Sequence, residues 1–181
     1  IHGELRQSWG DTYARCRRLA SALDKRGIGR GDTVAIMAPN IPATYEMHFA
    51  PAMIGAVLNA LNVRLDAATL AFMLEFGEAK IVFVDRAFAP VMADAIARLD
   101  NPPTVVDIDD PVYSGDEASI GEIEYEAFVA EGDAGNNADA TFMVGGMGSC
   151  TSADIAASQT CLPEASCDPT MRATLVQLYE G

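Results

Sequence analysis

Apolar positions along the first hundred residues change their spacing again and again, and each change marks an element. Trp9, Tyr13, Cys16, Leu19, Ala20 and Leu23 recur at three- and four-residue steps, with Arg15, Arg17, Arg18 and Lys25 between them. That spacing predicts an amphipathic helix. Ser8 and Asp11 stand where a capping pair would open it, and Gly27 stands where a left-handed cap would close it. TVAIMA (33–38) follows as a short apolar run of strand length. Pro39-Asn40-Ile41-Pro42 turns the chain into a second helical stretch, TYEMHFAPAMIGA (44–56), which Pro51 should kink or interrupt. A short apolar run, AVLNAL (56–61), is the second strand.

The alternation continues. Asp66 is placed to cap a third helix over 67–76, stopped by Gly77. KIVFVD (80–85) has the β-branched content of a buried strand. AFAPVMADAIARL (87–99) reads as a fourth helix and TVVDID (104–109) as a fourth strand. Residues 109–122 read as an exposed acidic loop, and EIEYEAFVAEG (122–132) as a short helix. Beyond that the rhythm fails until MRATLVQLYEG (171–181). The expected fold class is therefore α/β, a mainly parallel sheet of four strands over 8–109 with helices on both faces, followed by an irregular tail. The expected core includes Leu19, Leu23, Val34, Ile36, Leu70, Leu74, Val82 and Val84.

Glycines at 27, 29 and 31 suggest a phosphate cradle, because glycine lets backbone approach a phosphate closely. In dinucleotide-binding folds, however, such glycines follow a strand and open a helix. Here they follow a helix and open a strand, which makes them a turn.

Composition narrows the picture. Half of the 181 residues are hydrophobic and 21% are charged, a globular balance, and no apolar run is long enough to span a membrane. Residues 1–98 carry eleven Lys/Arg against ten Asp/Glu; residues 99–181 carry sixteen acids and one base, Arg172. So acidic a segment would repel a phosphate backbone, which argues against nucleic-acid binding. The start, IHGELRQSWG, lacks a secretory pattern, so a soluble, cytoplasmic fragment beginning inside a longer protein is expected. Cys150, Cys161 and Cys167 crowd together at spacings that match no zinc pattern.

Candidate chemistry is sparse. His48 lies on an apolar helical stretch and reads as a packed or half-exposed histidine. Asp107, Asp109 and Asp110 could mimic a metal site but read as the solvated end of a strand. Met37, Met47, Met53, Met73 and Met92 read as core filler.

Three stretches carry a family likeness: SWGDTYARCRRLASAL (8–23); Gly29-Arg30-Gly31-Asp32-Thr33-Val34-Ala35; and Gly55-Ala56-Val57 with Leu61-Asn62 and Arg64-Leu65. With them, residues 1–134 resemble the beginning of an adenylate-forming acyl-CoA synthetase of the AMP-binding superfamily. The stretch MHFAPAMIGAVLNALNVRLDAATLAFML looks most like ligases for short- and medium-chain acids, among them the methylmercaptopropionate–CoA ligases. The resemblance implies the first part of a large N-terminal domain. It also implies a two-step reaction in which a carboxylate and ATP give an acyl-adenylate, which CoA then converts to a thioester. ATP, CoA and Mg2+ are thus the implied cofactors of the full-length enzyme, and a small carboxylic acid its substrate; a homodimer is compatible with it.

The chain departs from the family where the chemistry should lie. The family's phosphate loop, of the form T-S-G-T-T-G-x-P-K-G, has no counterpart with its lysine. Gly145-Gly146-Met147-Gly148-Ser149 and Thr151-Ser152-Ala153-Asp154 lack it, and the only lysines are Lys25 and Lys80. No catalytic, cofactor-binding or metal residue is therefore assigned, and the fragment alone is expected to be inactive and to bind none of these cofactors tightly. Residues 135–181 form an unassigned tail, read as frameshifted or disordered, with a genuine acidic appendage as another reading. A free-standing doubly wound binding module without catalysis is the alternative for the whole chain.

Overall fold

The protein is described by a computed structural model over residues 2–135. Helix α1 spans Trp9–Lys25 and opens on a complete capping box. Ser8 Oγ accepts from the Asp11 N–H at 3.1 Å, and Asp11 Oδ2 accepts from the Ser8 N–H at 3.1 Å. Its buried stripe starts later than the sequence spacing suggests. Cys16, Leu19, Ala20 and Leu23 are buried, but Trp9 and Tyr13 are 77% and 51% exposed.

Strand β1 (Thr33–Met37) follows a turn in which Gly27 and Gly31 take φ of +78° and +85°, values costly for any side chain. Asp32 holds this turn, accepting from the Gly29 N–H at 2.9 Å and pairing with Lys80 at 2.6 Å. The glycines serve the turn, as their order in the sequence requires.

The stretch 44–56 is two helices. α2 (Pro42–Met47) and α3 (Ala50–Met53) are separated at His48–Phe49, because Pro51 occupies the first turn of a new helix, where its missing N–H costs nothing. β2 (Val57–Ala60) leads into α4 (Ala67–Phe76), capped by Asp66 Oδ1 accepting from the Thr69 N–H at 2.9 Å. Glu78, not Gly77, takes the left-handed φ of +50° after it. β3 (Ala79–Asp85), a 3-10 turn (Arg86–Phe88) and α5 (Ala89–Ile96) follow, so the fourth helix is shorter than the 87–99 expected. β4 is Thr104–Ile108. Two residues at the start of the expected last helix, Ile123–Glu124, form β5, and α6 covers Tyr125–Ala130.

The sheet has five strands among the described residues, one more than expected, in the order β2-β1-β3-β4-β5 with every pairing parallel. Strand alternation divides the core. Val34, Ile36, Ile81 and Phe83 face α1, α2, α3 and α6. Ala35, Met37, Val82 and Val84 face α4 and α5. All eight residues expected in the core are at most 2% exposed, and Met37, Met47 and Met92 are fully buried. Met53 and Met73 pack at the margins of the two clusters.

Because Ile36 and Val82 lie on opposite faces, truncation probes each core separately. Ile36→Ala and Val82→Ala should each cost about 2–4 kcal/mol, read by urea denaturation. Losses under about 0.5 kcal/mol, the usual surface range, would place these residues outside the core.

Candidate functional site

The strand order reverses direction between β1 and β3: the chain leaves β1 for β2 on one side, then crosses back to β3 on the other. In open parallel sheets ligands settle at the carboxyl ends of the strands at such a switch. Beside the carboxyl end of β1 lies a cleft of about 620 Å³ between the N-terminal segment, the start of α1, and α2. One wall is aromatic. Trp9 and Tyr45 have ring centroids 6.0 Å apart, and Tyr45 and Phe49 5.1 Å apart, all three substantially exposed.

Glu46, fully buried, forms the floor. Arg15 Nε donates to Oε1 at 2.6 Å, the Tyr125 hydroxyl donates to Oε2 at 2.7 Å, and Gln7 Nε2 donates to Oε1 at 3.3 Å. Arg15 turns its other two nitrogens to Glu126 at 2.9 and 2.6 Å. One carboxylate thus ties the N-terminal segment, α1, α2 and α6 together. The charges leave their mark on neighbours. Hydrogen bonding to Glu126 raises the Arg15 pKa, with Glu46 adding to it. Burial, then the Glu46 charge, pushes the Tyr125 hydroxyl well above its ordinary value. The same two causes push the Cys16 thiol up to about 11, so it is inert at neutral pH.

The carboxyl ends of β3 and β4 gather acids, each with its own anchor. Asp85 is 1% exposed; its Oδ1 accepts from the Ala87 N–H at 2.9 Å and its Oδ2 has no partner. Burial raises its pKa, and the charges of Asp110 and Asp109 add to the rise. Asp109 pairs with Arg86 at 3.0 Å and Asp110 with His2 at 2.7 Å. Asp107 corrects the expectation of a solvated strand end. It is 4% exposed and accepts from the Ser119 hydroxyl and from the N–H groups of Ile120 and Gly121, the last at 2.9 Å. No group of acids, histidines and cysteines among the described residues is arranged to hold a metal ion.

His48 is exposed, with Nδ1 2.7 Å from the Thr44 carbonyl. Among the described residues, no lysine or arginine lines the cleft. The glycines at 145–148 and the cysteines at 150, 161 and 167 lie outside the described residues. Glu46 and Asp85 were missed by sequence reasoning. The one available signal was a lone acid inside an otherwise apolar stretch, which demands a buried partner.

Two outcomes follow from these carboxylates. Glu46→Ala strips Arg15 and the buried Tyr125 hydroxyl of an acceptor and should cost about 2–3 kcal/mol, whereas Tyr125→Phe should cost about 1 kcal/mol; urea denaturation of both variants checks the ranking. Asp85 holds its proton more tightly folded than unfolded, so its effect on stability worsens as pH rises from the ordinary carboxylate range through its raised pKa. Asp85→Asn keeps the acceptor for Ala87 and should have a higher Tm than the wild type at pH 7. The gain should vanish toward pH 4, as a thermal-melt series would read.

Comparison with known proteins gives concordant results. The AMP-binding enzyme family matches residues 1–157. The peroxisomal acetate/butyrate–CoA ligase of Arabidopsis thaliana is 45% identical over 144 residues, covering 74% of this chain and 25% of that protein. An acetate–CoA ligase of Humulus lupulus is 44% identical over 144 residues, with the same shares. The chain therefore spans about a quarter of the length of the curated relatives it matches. Among solved structures, an anthranilate–CoA ligase bound to anthranoyl-AMP superposes with a TM-score of 0.65 at 15% identity, covering 74% of this chain and 25% of that one. A Brucella canis acyl-CoA synthetase gives 0.59 at 25% identity, covering 72% and 23%. No helix among the described residues is long and apolar enough to cross a membrane. The chain belongs to the AMP-binding enzyme family.

Proposed function

We propose that this chain is the N-terminal part of an ATP-dependent acid–CoA ligase, and that residues 1–134 act in it as scaffold. The observation that carries the reading is the 45% identity to an acetate/butyrate–CoA ligase over 144 residues, 74% of this chain. The substrate of the full-length enzyme is a short- or medium-chain carboxylic acid, straight or thio-substituted, with ATP, CoA and Mg2+ as cofactors. The enzyme works in the cytoplasm in this reading, although the Arabidopsis relative is named peroxisomal.

The described residues do not fit those cofactors. Among the described residues no lysine or arginine lines the cleft, and its two histidines are hydrogen-bonded, His2 with Asp110 and His48 with a backbone carbonyl. No acid cluster among the described residues is arranged for magnesium. Adenylyl transfer needs preorganised donors and positive charge aimed at the developing anion. What this part of the chain does is structural: it builds the sheet, and Glu46 sets α2 against α1 and α6. The ligase portion is taken to end near residue 134, although the family match itself runs to residue 157.

The test is twofold. The uninterrupted coding sequence should continue in frame for several hundred residues, and its product should show pyrophosphate exchange dependent on acetate, butyrate or a related acid. The purified 181-residue chain should show no exchange above a boiled sample. Acid-dependent exchange by the short chain would place catalytic groups inside it and overturn the scaffold reading. A reading frame that ends with the short chain would overturn the ligase reading.

A further inference from the structure

Three rings along one wall of the cleft beside the carboxyl end of β1 belong to neither core. Trp9, Tyr45 and Phe49 are 77%, 42% and 42% exposed, although each lies beside the next. Single exposed aromatics are ordinary on a surface, whereas grouped ones lining a concavity mark a binding site. Trp9 is tilted by 55° to Tyr45, and Tyr45 by 53° to Phe49. Rings so tilted do not cover one another, and their faces stay open. Those faces carry the negative part of the ring quadrupole.

The charges beneath the rings have the same sign. Among the described residues the ion-pair partner of Glu46, on the floor, is Arg15, and Arg15 is divided between Glu46 and Glu126. One guanidinium against two carboxylates leaves the trio with a net negative charge. His2, also in the lining, sits 2.7 Å from a further acid, Asp110. The start of α1 would by itself favour an anion. Asp11 answers it, since its Oδ2 accepts from the Ser8 N–H at 3.1 Å and from the Ser8 hydroxyl at 2.6 Å.

We propose that this cleft binds a small organic cation, a quaternary or methylated ammonium group seated against Trp9, Tyr45 and Phe49. Such a group spreads its charge over a surface of methyls. It therefore takes the apolar contact of the rings together with the attraction of their faces. A primary ammonium is more strongly hydrated and loses more on entering. A carboxylate or phosphate meets like charge from the floor and, among the described residues, no lysine or arginine in the lining. A neutral apolar molecule covers the rings but leaves the charge of the floor unanswered. The cleft, at about 620 Å³, is of the size that holds small molecules. The site stands apart from the ligase reading, because carboxylic acids, ATP and CoA carry no such group.

Trp9 is the one tryptophan of the chain, so its emission reports on the cleft directly. The test titrates the 181-residue chain with choline, with dimethylbutanol (its uncharged carbon isostere) and with butyrate, all at one ionic strength. Emission and titration calorimetry are read together. Choline should saturate at concentrations at least about tenfold below the alcohol, and butyrate should not bind. Tyr45→Leu keeps apolar bulk at an exposed position and removes one ring. It should weaken choline at least about fivefold while shifting the alcohol less than about twofold. Equal affinities for choline and the alcohol would reduce the site to an apolar cleft and overturn the cation assignment. Saturation by butyrate would overturn it as well, as would failure of choline to saturate up to about 100 mM. Choline binding unchanged by Tyr45→Leu would take the rings out of the site and overturn the proposal.

Discussion

A parallel sheet must be dry on both faces, and that constraint governs the molecule. Crossover connections in one chain place helices over the sheet, so every central strand needs apolar side chains at consecutive positions. β1 and β3 meet the demand with AIM and IVFV runs that divide residue by residue between two cores. The inner faces of α1, α4 and α6 exist to complete those cores. The turn held by Asp32, the split at Pro51 and the cap at Asp66 each place a helix where one of the two faces would otherwise be wet.

Glu46 is the exception built into that scheme. A carboxylate without solvent is tolerated because three donors converge on it, and removal of a partner is costlier than the pair is worth. What it supplies is placement. Three helices that would pack acceptably in several rotations are held in the one that brings Arg15, Tyr125 and the α2 carboxylate together.

Elements whose cause is local were legible in the sequence. Ser8 with Asp11, and Asp66 with Thr69, act within three residues, and the β-branched apolar run in KIVFVD needs no partner to be recognised. Features built over distance were not. Glu46 meets Arg15 across 31 positions and Tyr125 across 79, so neither partner could be named from the chain alone. β5 has two residues and cannot display a period. Asp107, with Asp109 and Asp110, read as the solvated end of a strand, when the loop it anchors returns from 12 to 14 residues further on. Trp9 and Tyr13 kept the helical spacing yet stay exposed, because spacing reports a face and not what lies against it. The family likeness reached further than any of these, yet it identified a lineage and no working residue.

The clasp on Asp107 has a consequence for how this region tolerates change in length. Because the Ser119 hydroxyl and the Ile120 and Gly121 amides are gathered on one carboxylate, the entry to β5 is set at the clasp and not by the path that leads to it. The intervening segment from Pro111 to Ala118 is mostly exposed and contributes no strand or helix. Closing a longer loop costs only about 0.6 kcal/mol per doubling of its length. Insertions there leave both ends of the loop where they were, so the stretch can lengthen or shorten across generations while the sheet beneath it keeps its order.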